Sequence, residues 1–387
     1  MVSVFTPAYN RAYTLGNLYR SLKAQTSHDF EWIIIDDGSE DGTEELVRQW
    51  TQETREFPII YKKVPNGGKH RAINMGTALA KYEAFFIVDS DDCLTEDAIE
   101  FVLTEFPHIV DDDRYAGISG LRMYKNGEII GEVPLFSEYV DATNFERAEY
   151  SLSGDKAEIY KTSVLKRYRF PEFADETFLT EAVVWDAVAF DGLKIRWFNR
   201  PIYITEYMPD GLSRNIYMKM KKNPFGWAEW IRRERLYGRL KDKELSDTLF
   251  AFIERVELPE DVVCKILQIS EQEYDFFRKR KERIFSELSR KIESCRLKNM
   301  ALYGYGQNAR RLFEYFQDIR IEIPYVIDKR YADITETTAY SLEMELPEVE
   351  GVCITLKKPE PEIMETLKKK LPFSYIWQLS DLGIEEW

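Results

Sequence analysis

The chain has 387 residues, 44% hydrophobic and 31% charged, which is typical of a soluble globular protein with two or three domains. Its formal net charge of −15 argues against nucleic-acid binding, because a long phosphate backbone would be repelled. The 4 cysteines form no Cys-x-x-Cys pair and only 3 histidines are present, so we expect neither a disulfide framework nor a zinc site.

The first hundred residues alternate strand and helix patterns. The predicted strands are residues 2–5, 32–35, 59–61 and 84–88. The helices between them are predicted from a stripe of Leu15, Leu18 and Leu22 after the candidate N-cap Thr14, from a start near Thr43, and from a run that ends near Ala80. Alternation of this kind predicts a parallel sheet, with ligands beyond the carboxyl ends of its strands.

The pattern changes twice further along the chain. Residues 216–295 are charged, aromatic and helical in period, most clearly over 227–240 and 271–292. From Met300 onward, strands are predicted at 301–303, 323–327 and 352–355, with helices up to Phe316 and over 362–370. We therefore predict three parts: an α/β domain over 1–215, a helical extension over 216–295, and a small Rossmann-like α/β domain over 296–387.

The fourth predicted strand ends in an acidic run, Asp89-Ser90-Asp91-Asp92. An Asp-x-Asp pair on its own is most often a solvated turn. After a buried strand of a βαβ array, it favours a site for Mg²⁺ or Mn²⁺, which prefer oxygen ligands and often bridge a diphosphate. Such an ion would stabilise the charge on a departing diphosphate. We take Asp89 and Asp91 as the candidate metal ligands.

Two other strand ends carry candidate ligand groups. Asp36 and Asp37 follow the second strand, where a carboxylate can accept hydrogen bonds from a base or a ribose, or can cap a helix. The Gly-rich turn at 66–68 leads into a helix whose first N–H groups favour an anion, and Lys69 or Arg71 could reach a phosphate or remain solvated. The P-loop pattern is missing there.

At this point the sequence resembles glycosyltransferase family 2, whose members have the GT-A fold. The resemblance rests on four motifs in order: Val4-Phe5-Thr6-Pro7-Ala8-Tyr9-Asn10-Arg11, Ile35-Asp36-Asp37-Gly38-Ser39-Glu40-Asp41-Gly42-Thr43, Asn66-Gly67-Gly68-Lys69-His70 and Val88-Asp89-Ser90-Asp91-Asp92. It covers roughly residues 1–215. It implies metal-dependent, inverting transfer from a nucleotide-sugar donor, with UDP favoured as the nucleotide.

The resemblance also implies roles for individual residues. The predicted donor-binding residues are Pro7, Ala8, Tyr9, Arg11, Asp36, Asp37, Gly68, Lys69, Asp89, Ser90 and Arg214. Of these, Arg214 lies in a loop that resembles the one closing over the donor diphosphate. Asp155 lies in a segment that resembles the acceptor side of the family. For both Asp155 and Arg214, an ordinary surface turn is an equal alternative.

Inversion needs a general base on the acceptor hydroxyl. The family supplies it from a Glu-Asp pair at a helix start, but here Ala182 follows Glu181. We predict Glu181 as the base with Asp186 as the alternative, and Asp186 would point about 140° away from Glu181 on a helix. Glu181 as a plain helix-start carboxylate, and a degenerate site, both stay open.

The last part of the chain carries Gly304, Gly306 and Ala309 after a strand, with Asp328 about twenty residues later, in outline a dinucleotide fingerprint. The strand count is low for a full dinucleotide fold, so we do not expect NAD binding. The segment resembles the Rossmann-like tail of some bacterial sugar-modifying enzymes, and we expect it to serve assembly or regulation.

The sequence therefore predicts a glycosyltransferase of bacterial surface polysaccharide synthesis, with a glycan or lipid-linked acceptor. A cytoplasmic location is expected, since the N-terminus lacks signal-peptide character and no apolar run reaches the ~18 residues of a membrane span. Peripheral membrane contact and homo-oligomer formation stay open. Two alternatives remain: a sugar nucleotidyltransferase, which should carry a different first loop, and a non-catalytic GT-A scaffold that has lost its base.

Overall fold

The computed structural model describes residues 1–134, 138–206, 216–335, 337–356, 361–379 and 381. It divides into two compact units, Met1–Leu240 and Lys241–Trp387. The border lies inside the stretch 216–295 that the sequence marks as helical. Among the described residues, no helix is both long enough and apolar enough to cross a membrane.

The first unit begins with alternating strands and helices. In chain order they are β1 (Val2–Ala8), α1 (Leu15–Lys23), β2 (Phe30–Asp36), α2 (Thr43–Glu53), β3 (Ile59–Lys63), α3 (Lys69–Leu79) and β4 (Ala84–Ile87). The four strands and three helices predicted for this region are confirmed. Thr14 does precede α1, but its side chain makes no cap hydrogen bond.

The rest of the unit is less regular. It contains β5 (Cys93–Leu94), α4 (Ala98–Glu105), β6 (Tyr115–Tyr124), β7 (Tyr139–Ala142), β8 (Lys156–Lys161), α5 (Thr162–Arg167), α6 (Ala182–Phe190), β9 (Lys194–Thr205), α7 (Ile216–Lys222) and α8 (Pro224–Leu236).

Within the described residues, these strands form one sheet in the order β3-β2-β1-β4-β8-β6-β9-β5, and β7 also pairs with β9. The first four strands are parallel, as predicted. The sheet as a whole is mixed, however, because β8 runs antiparallel to β4 and to β6. The parallel sheet predicted from the first hundred residues is therefore confirmed for β1 to β4, and the later strands, for which no pairing was predicted, make the whole sheet mixed.

Helices cover both faces of this sheet. On one face, the stripe of Leu15, Leu18 and Leu22 is fully buried against β-strand side chains such as Trp32 and Phe86. Ile73 of α3 and Val184 of α6 belong to the core on the other face. Full burial of one such side chain stabilises the fold by roughly 1.5–3 kcal/mol, so these two layers fix where the strand ends point.

The second unit opens with helices and closes with a small sheet. Its elements are α9 (Asp242–Arg255), α10 (Glu260–Leu267), α11 (Glu271–Cys295), β10 (Met300–Tyr303), α12 (Gln307–Asp318), β11 (Val326–Ile327), β12 (Ala339–Tyr340), β13 (Gly351–Ile354), α13 (Pro361–Lys370) and β14 (Tyr375–Gln378).

The strands of the second unit pair in parallel, in the order β12-β11-β10-β13-β14. The sequence reading had missed β12 and β14, which are only two and four residues long. Strand β11 begins at Val326 and not at 323 as predicted. Pro324 lies in the lost stretch and has no N–H to donate to a ladder, which explains the shortening.

Candidate functional site

The acidic run after β4 is fixed from the side of β9. The backbone N–H of Asp89 donates to the hydroxyl oxygen of Tyr203 over 2.9 Å. The backbone N–H of Glu206 donates to Asp92 Oδ1 over 3.0 Å. The run therefore keeps a defined position at the carboxyl end of β4.

Lys69, at the start of α3, joins two of the predicted site carboxylates. Its Nζ lies 2.6 Å from Asp89 Oδ1 and 2.8 Å from Glu181 Oε1. Burial lowers the pKa of Lys69, but the two carboxylates outweigh it and raise that pKa above its ordinary value. Residues 69, 89 and 181 thus form one charged cluster, which we call the Lys69 cluster.

The turn before α3 explains how Lys69 reaches this position. Asp37 holds the turn, since its Oδ1 accepts from Gly67 N–H (2.7 Å) and its Oδ2 from Gly68 N–H (2.8 Å). Gly68 has φ +92°, and a Cβ there would lie 1.9 Å from the carbonyl oxygen of Thr177. Only glycine fits, and its bare backbone lets the chain just before Glu181 pack on the start of α3.

Arg122, from β6, is a charged neighbour that the sequence reading missed. Its Nη1 lies 3.7 Å from Asp89 Oδ2 and 3.7 Å from Asp92 Oδ2. Its guanidinium carbon lies 4.1 Å from the centre of the Tyr203 ring, and its Nε donates to the Lys156 carbonyl oxygen (2.8 Å). The signal in the sequence that could have identified Arg122 is a lone arginine within an apolar strand.

Glu158 of β8 was also missed. Burial raises the pKa of Glu158, and the charges of Arg147 and Arg122 oppose that rise while Glu181 adds to it. A carboxylate within electrostatic reach of Glu181 therefore lies on the strand that follows Asp155. Its signal was a charged residue in an otherwise buried strand.

The carboxylates of the acidic run are partly shielded from water. Burial, with the charge of Asp89, raises the pKa of Asp91 and raises that of Asp92 to about 7. Ser90, between Asp89 and Asp91, is buried. Among the described residues, no group of three or more His, Cys, Asp or Glu side chains is arranged to hold a metal ion. Two carboxylates do suit Mg²⁺ or Mn²⁺, which commonly take their other ligands from water and substrate phosphates.

The predicted nucleoside side begins where β1 and β2 end together. Pro7 and Ala8 close β1, and Ala8 pairs with Asp36. The Asp36 carboxylate is fully buried, and it accepts from the Tyr61 hydroxyl (2.6 Å) and from Ser39 N–H (2.7 Å). Both oxygens are thus used inside the protein, and donor contacts by Asp36 and Asp37 stay predictions.

The loop after β1 is shaped by side chains from the loop after β2. Asn10 has φ +53°, and its N–H donates to Ser39 Oγ (2.8 Å). Arg11 N–H donates to Thr43 Oγ1 (3.1 Å). Tyr9 is 48% exposed at the tip of this loop. An exposed aromatic ring at this position can stack on a base.

The remaining predicted residues lie in other settings. Asp186 is buried within α6, where its Oδ1 accepts from Asn144 Nδ2 over 3.0 Å and where it neighbours Glu234 of α8. Asp155 is exposed in the turn before β8. Arg214 lies outside the described residues.

The Gly-rich turn of the second unit has a different organisation. Asp328, after β11, accepts from Tyr305 N–H (2.7 Å) through one oxygen and from Arg330 N–H (2.8 Å) through the other. The residue expected to face a ribose in a dinucleotide fold therefore ties its own loops together. The expectation about NAD stays a prediction.

Comparison with known proteins bears on this site. Residues 3–156 match the model of "Glycosyl transferase family 2". Glycosyltransferase GlyG of Streptococcus pneumoniae is 34% identical over 100 residues, which are 26% of this chain and 33% of GlyG. The poly-beta-1,6-N-acetyl-D-glucosamine synthase of Staphylococcus epidermidis is 27% identical over 199 residues, 49% of this chain and 46% of the synthase. The chain thus spans less than half the length of these relatives.

Among solved structures, S. aureus TarS 1-349 in complex with UDP-GlcNAc aligns over 73% of this chain and 92% of that chain, with 20% identity and a TM-score of 0.47. The family match contains Pro7, Asp37, Lys69 and Asp89, so it covers the strand ends that build the site. The N-terminal region of the chain is thus similar to glycosyl transferase family 2, and the sheet that carries the site has a mixed α/β fold.

Proposed function

We propose that this chain is an inverting glycosyltransferase. It would move a sugar from a nucleoside-diphosphate sugar, with UDP as the favoured nucleotide, to a hydroxyl of a glycan or lipid-linked acceptor. The observation that carries the proposal is the Lys69 cluster, which joins the acidic run after β4 to the carboxylate before α6. The synthase and glycosyltransferase relatives support a role in bacterial surface polysaccharide synthesis.

The donor diphosphate would bind at the acidic run with Mn²⁺ or Mg²⁺ held by Asp89 and Asp91. Carboxylate oxygens fit a divalent cation, and burial together with the charge of Asp89 raises the pKa of Asp91. When bound, such an ion neutralises the charge that develops on the departing diphosphate. Arg122 lies 3.7 Å from a carboxylate oxygen of Asp89 and 3.7 Å from one of Asp92, which keeps the carboxylates preorganised.

Glu181 would act as the general base. Its side chain is 35% exposed, so an acceptor hydroxyl can approach it. Lys69 fixes one carboxylate oxygen and leaves the other to accept the proton of that hydroxyl, whose oxygen then attacks the anomeric carbon. The alternative base, Asp186, is buried beside another acid and has no such approach.

The test is release of nucleoside diphosphate from a panel of UDP- and GDP-sugars with Mn²⁺ and a panel of glycan acceptors. We expect turnover by the wild type, loss on chelation of the metal, and a kcat/KM lower by about 100-fold or more for Asp91→Asn, since metal-ion catalysis contributes several kcal/mol. Asp113→Asn makes the same change at an exposed position and should leave turnover unchanged.

Two outcomes would contradict the proposal. Turnover that is equal in wild type and Asp91→Asn would remove the acidic run from the reaction. Donor binding without turnover across the panels would favour a binding or scaffold protein.

A further inference from the structure

The segment between α5 and α6 contains no helix or strand, yet it is bound closely to α3. We call residues 170–181 the strap. At its first end, the Asn74 side chain pairs with the Phe170 backbone, donating to its carbonyl oxygen (2.9 Å) and accepting from its N–H (3.0 Å). Further along, the guanidinium of Arg71 donates to the Phe173 carbonyl oxygen. The strap therefore follows α3 back to its start.

At its other end, the strap and the start of helix α8 exchange hydrogen bonds. Asn223 occupies the N-cap position of α8 but makes no side-chain cap bond to that helix. Its Oδ1 instead accepts from the N–H groups of Thr177 (2.8 Å) and Phe178 (3.0 Å), and its Nδ2 donates to the Lys219 carbonyl oxygen (2.6 Å).

The strap supplies the missing cap in return. The two oxygens of Glu176 accept from the N–H groups of Phe225 (2.6 Å) and Gly226 (2.7 Å), in the first turn of α8. A carboxylate is favoured there because the N–H groups at a helix start are otherwise unpaired and carry partial positive charge. The exchange is thus reciprocal, and each partner satisfies backbone groups of the other.

This junction is closed to water and tightly packed. Glu176 and Asn223 are each only 5% exposed. A Cβ on Gly226 would lie 3.1 Å from both Glu176 Oε2 and the Phe178 carbonyl oxygen, which leaves little room for the strap to shift. A buried backbone N–H group that loses its acceptor destabilises the fold, so the hydrogen bonds hold the strap in one position.

Only two residues lie between Phe178 and Glu181, and the Thr177 carbonyl oxygen abuts Gly68, the neighbour of Lys69. We propose that Asn223 and Glu176 are positioning residues, which hold the strap on the start of α3 so that the Glu181 carboxylate stays at Lys69. The proposal rests on the proposed role of Glu181 as the base. Neither residue touches the reacting atoms, and both act through the backbone of the strap.

The main test compares Asn223→Leu, which removes both the acceptor and the donor, with Asn223→Asp, which keeps an acceptor for the strap. Gln25→Leu is the matched control, because Gln25 is equally buried and also bonds three backbone groups, those of Ser21, Thr95 and Ile99. A displacement of about 1 Å can reduce catalysis about 100-fold. We expect kcat to fall about 10- to 100-fold in Asn223→Leu, with the donor KM within about twofold of wild type.

The same comparison should leave the other variants active. Gln25→Leu should lower the melting temperature about as much as Asn223→Leu while keeping the wild-type kcat, and Asn223→Asp should keep kcat within about threefold of wild type. Equal kcat in Asn223→Leu and Gln25→Leu would overturn the proposal. If Asn223→Leu does not fold, Glu176→Gln decides, since its amide leaves one α8 N–H without an acceptor and should lower kcat several-fold, whereas an unchanged kcat would overturn the proposal.

Hydrogen exchange gives a readout that does not depend on activity. Amides of residues 176–181 should exchange at least about tenfold faster in Asn223→Leu than in Gln25→Leu or wild type, because opening this junction becomes easier. If the wild type is inactive and this exchange pattern is seen, the proposed function is contradicted, but the role of Asn223 in holding the strap stands. An active wild type with unchanged exchange in Asn223→Leu would overturn the positioning role alone.

Discussion

Two acidic regions lie at helix α6, one before its first turn and one within it. Their carboxylates have different surroundings. Before its first turn, Glu181 contacts the Lys69 ammonium at 2.8 Å and keeps 35% of its side chain exposed. Within the helix, Asp186 is buried beside Glu234, and burial with the charge of Asp186 raises the pKa of Glu234 to about 7. One region is balanced by a lysine, whereas in the other the raised pKa of Glu234 favours its uncharged form.

The difference shows that local sequence does not decide which carboxylate reacts. An acid that is accessible and held by a lysine can take a proton from a ligand. The two buried acids Asp186 and Glu234, with Arg239 3.1 Å from Glu234, form a structural link between α6 and α8. The surroundings of Glu181 therefore support it over Asp186 as the proposed base, although the two acids are only five positions apart in the sequence.

The largest expected effect comes from removing the charge of Glu181 or of Asp186, one at a time. Glu181→Gln keeps the shape of the side chain but cannot accept the proton, so kcat should fall about 100- to 10,000-fold while the donor KM changes little. Asp186→Asn should lower kcat by less than about tenfold, because its effect is on packing alone. Steady-state kinetics with Mn²⁺ and the preferred donor measure both.

The matched control is Glu45→Gln, an equivalent change on the exposed face of α2, which should leave kcat unchanged. A greater loss in Asp186→Asn than in Glu181→Gln would reverse the assignment of the two acids. Equal and small losses in both variants would show that neither Glu181 nor Asp186 is the base.

A smaller effect is expected on stability, from Glu234→Gln. The pKa of Glu234 is about 7 in the folded protein, well above its unfolded value, so the proton it binds stabilises the fold at low pH. This stabilisation is complete below about pH 4 and is lost as the pH rises through about 7. Glutamine carries no such titration, so the wild type should lose stability relative to Glu234→Gln between pH 5 and pH 8.

Urea unfolding at the two pH values measures this difference. Each pKa unit corresponds to about 1.4 kcal/mol, so the free energy of unfolding of the wild type should fall relative to the variant by roughly 1–3 kcal/mol. A difference between the two proteins that does not depend on pH would show that the pKa of Glu234 is not raised in the folded protein.

Much of the fold follows from local patterns in the sequence. The alternation of apolar runs and helical stripes up to Ile87 predicts four strands and three helices that the structure contains. Beyond β4 the strands pair with partners far along the chain, as β4 does with β8, and no local pattern specifies that pairing. The strand β12 has only two residues, too few to show a period.

The site divides in the same way. Asp89, Asp91 and Lys69 stand in short motifs that sequence reasoning can single out. Arg122 lies in a strand without a motif, and its contacts with the acidic run depend on the mixed sheet. Asn223 and Glu176 make their hydrogen bonds only because the strap packs against the start of α8. Such residues are found from the packing of distant segments, not from spacing.

The central claim is that the acidic run after β4 binds a donor diphosphate together with a divalent ion. Calorimetric titration of UDP into the full chain, with and without Mn²⁺ and for wild type and Asp89→Asn, tests it most directly. We predict binding by the wild type that is at least about tenfold tighter with Mn²⁺, and loss of that enhancement in Asp89→Asn. UDP affinity that is the same with and without the ion, in both proteins, would contradict the account.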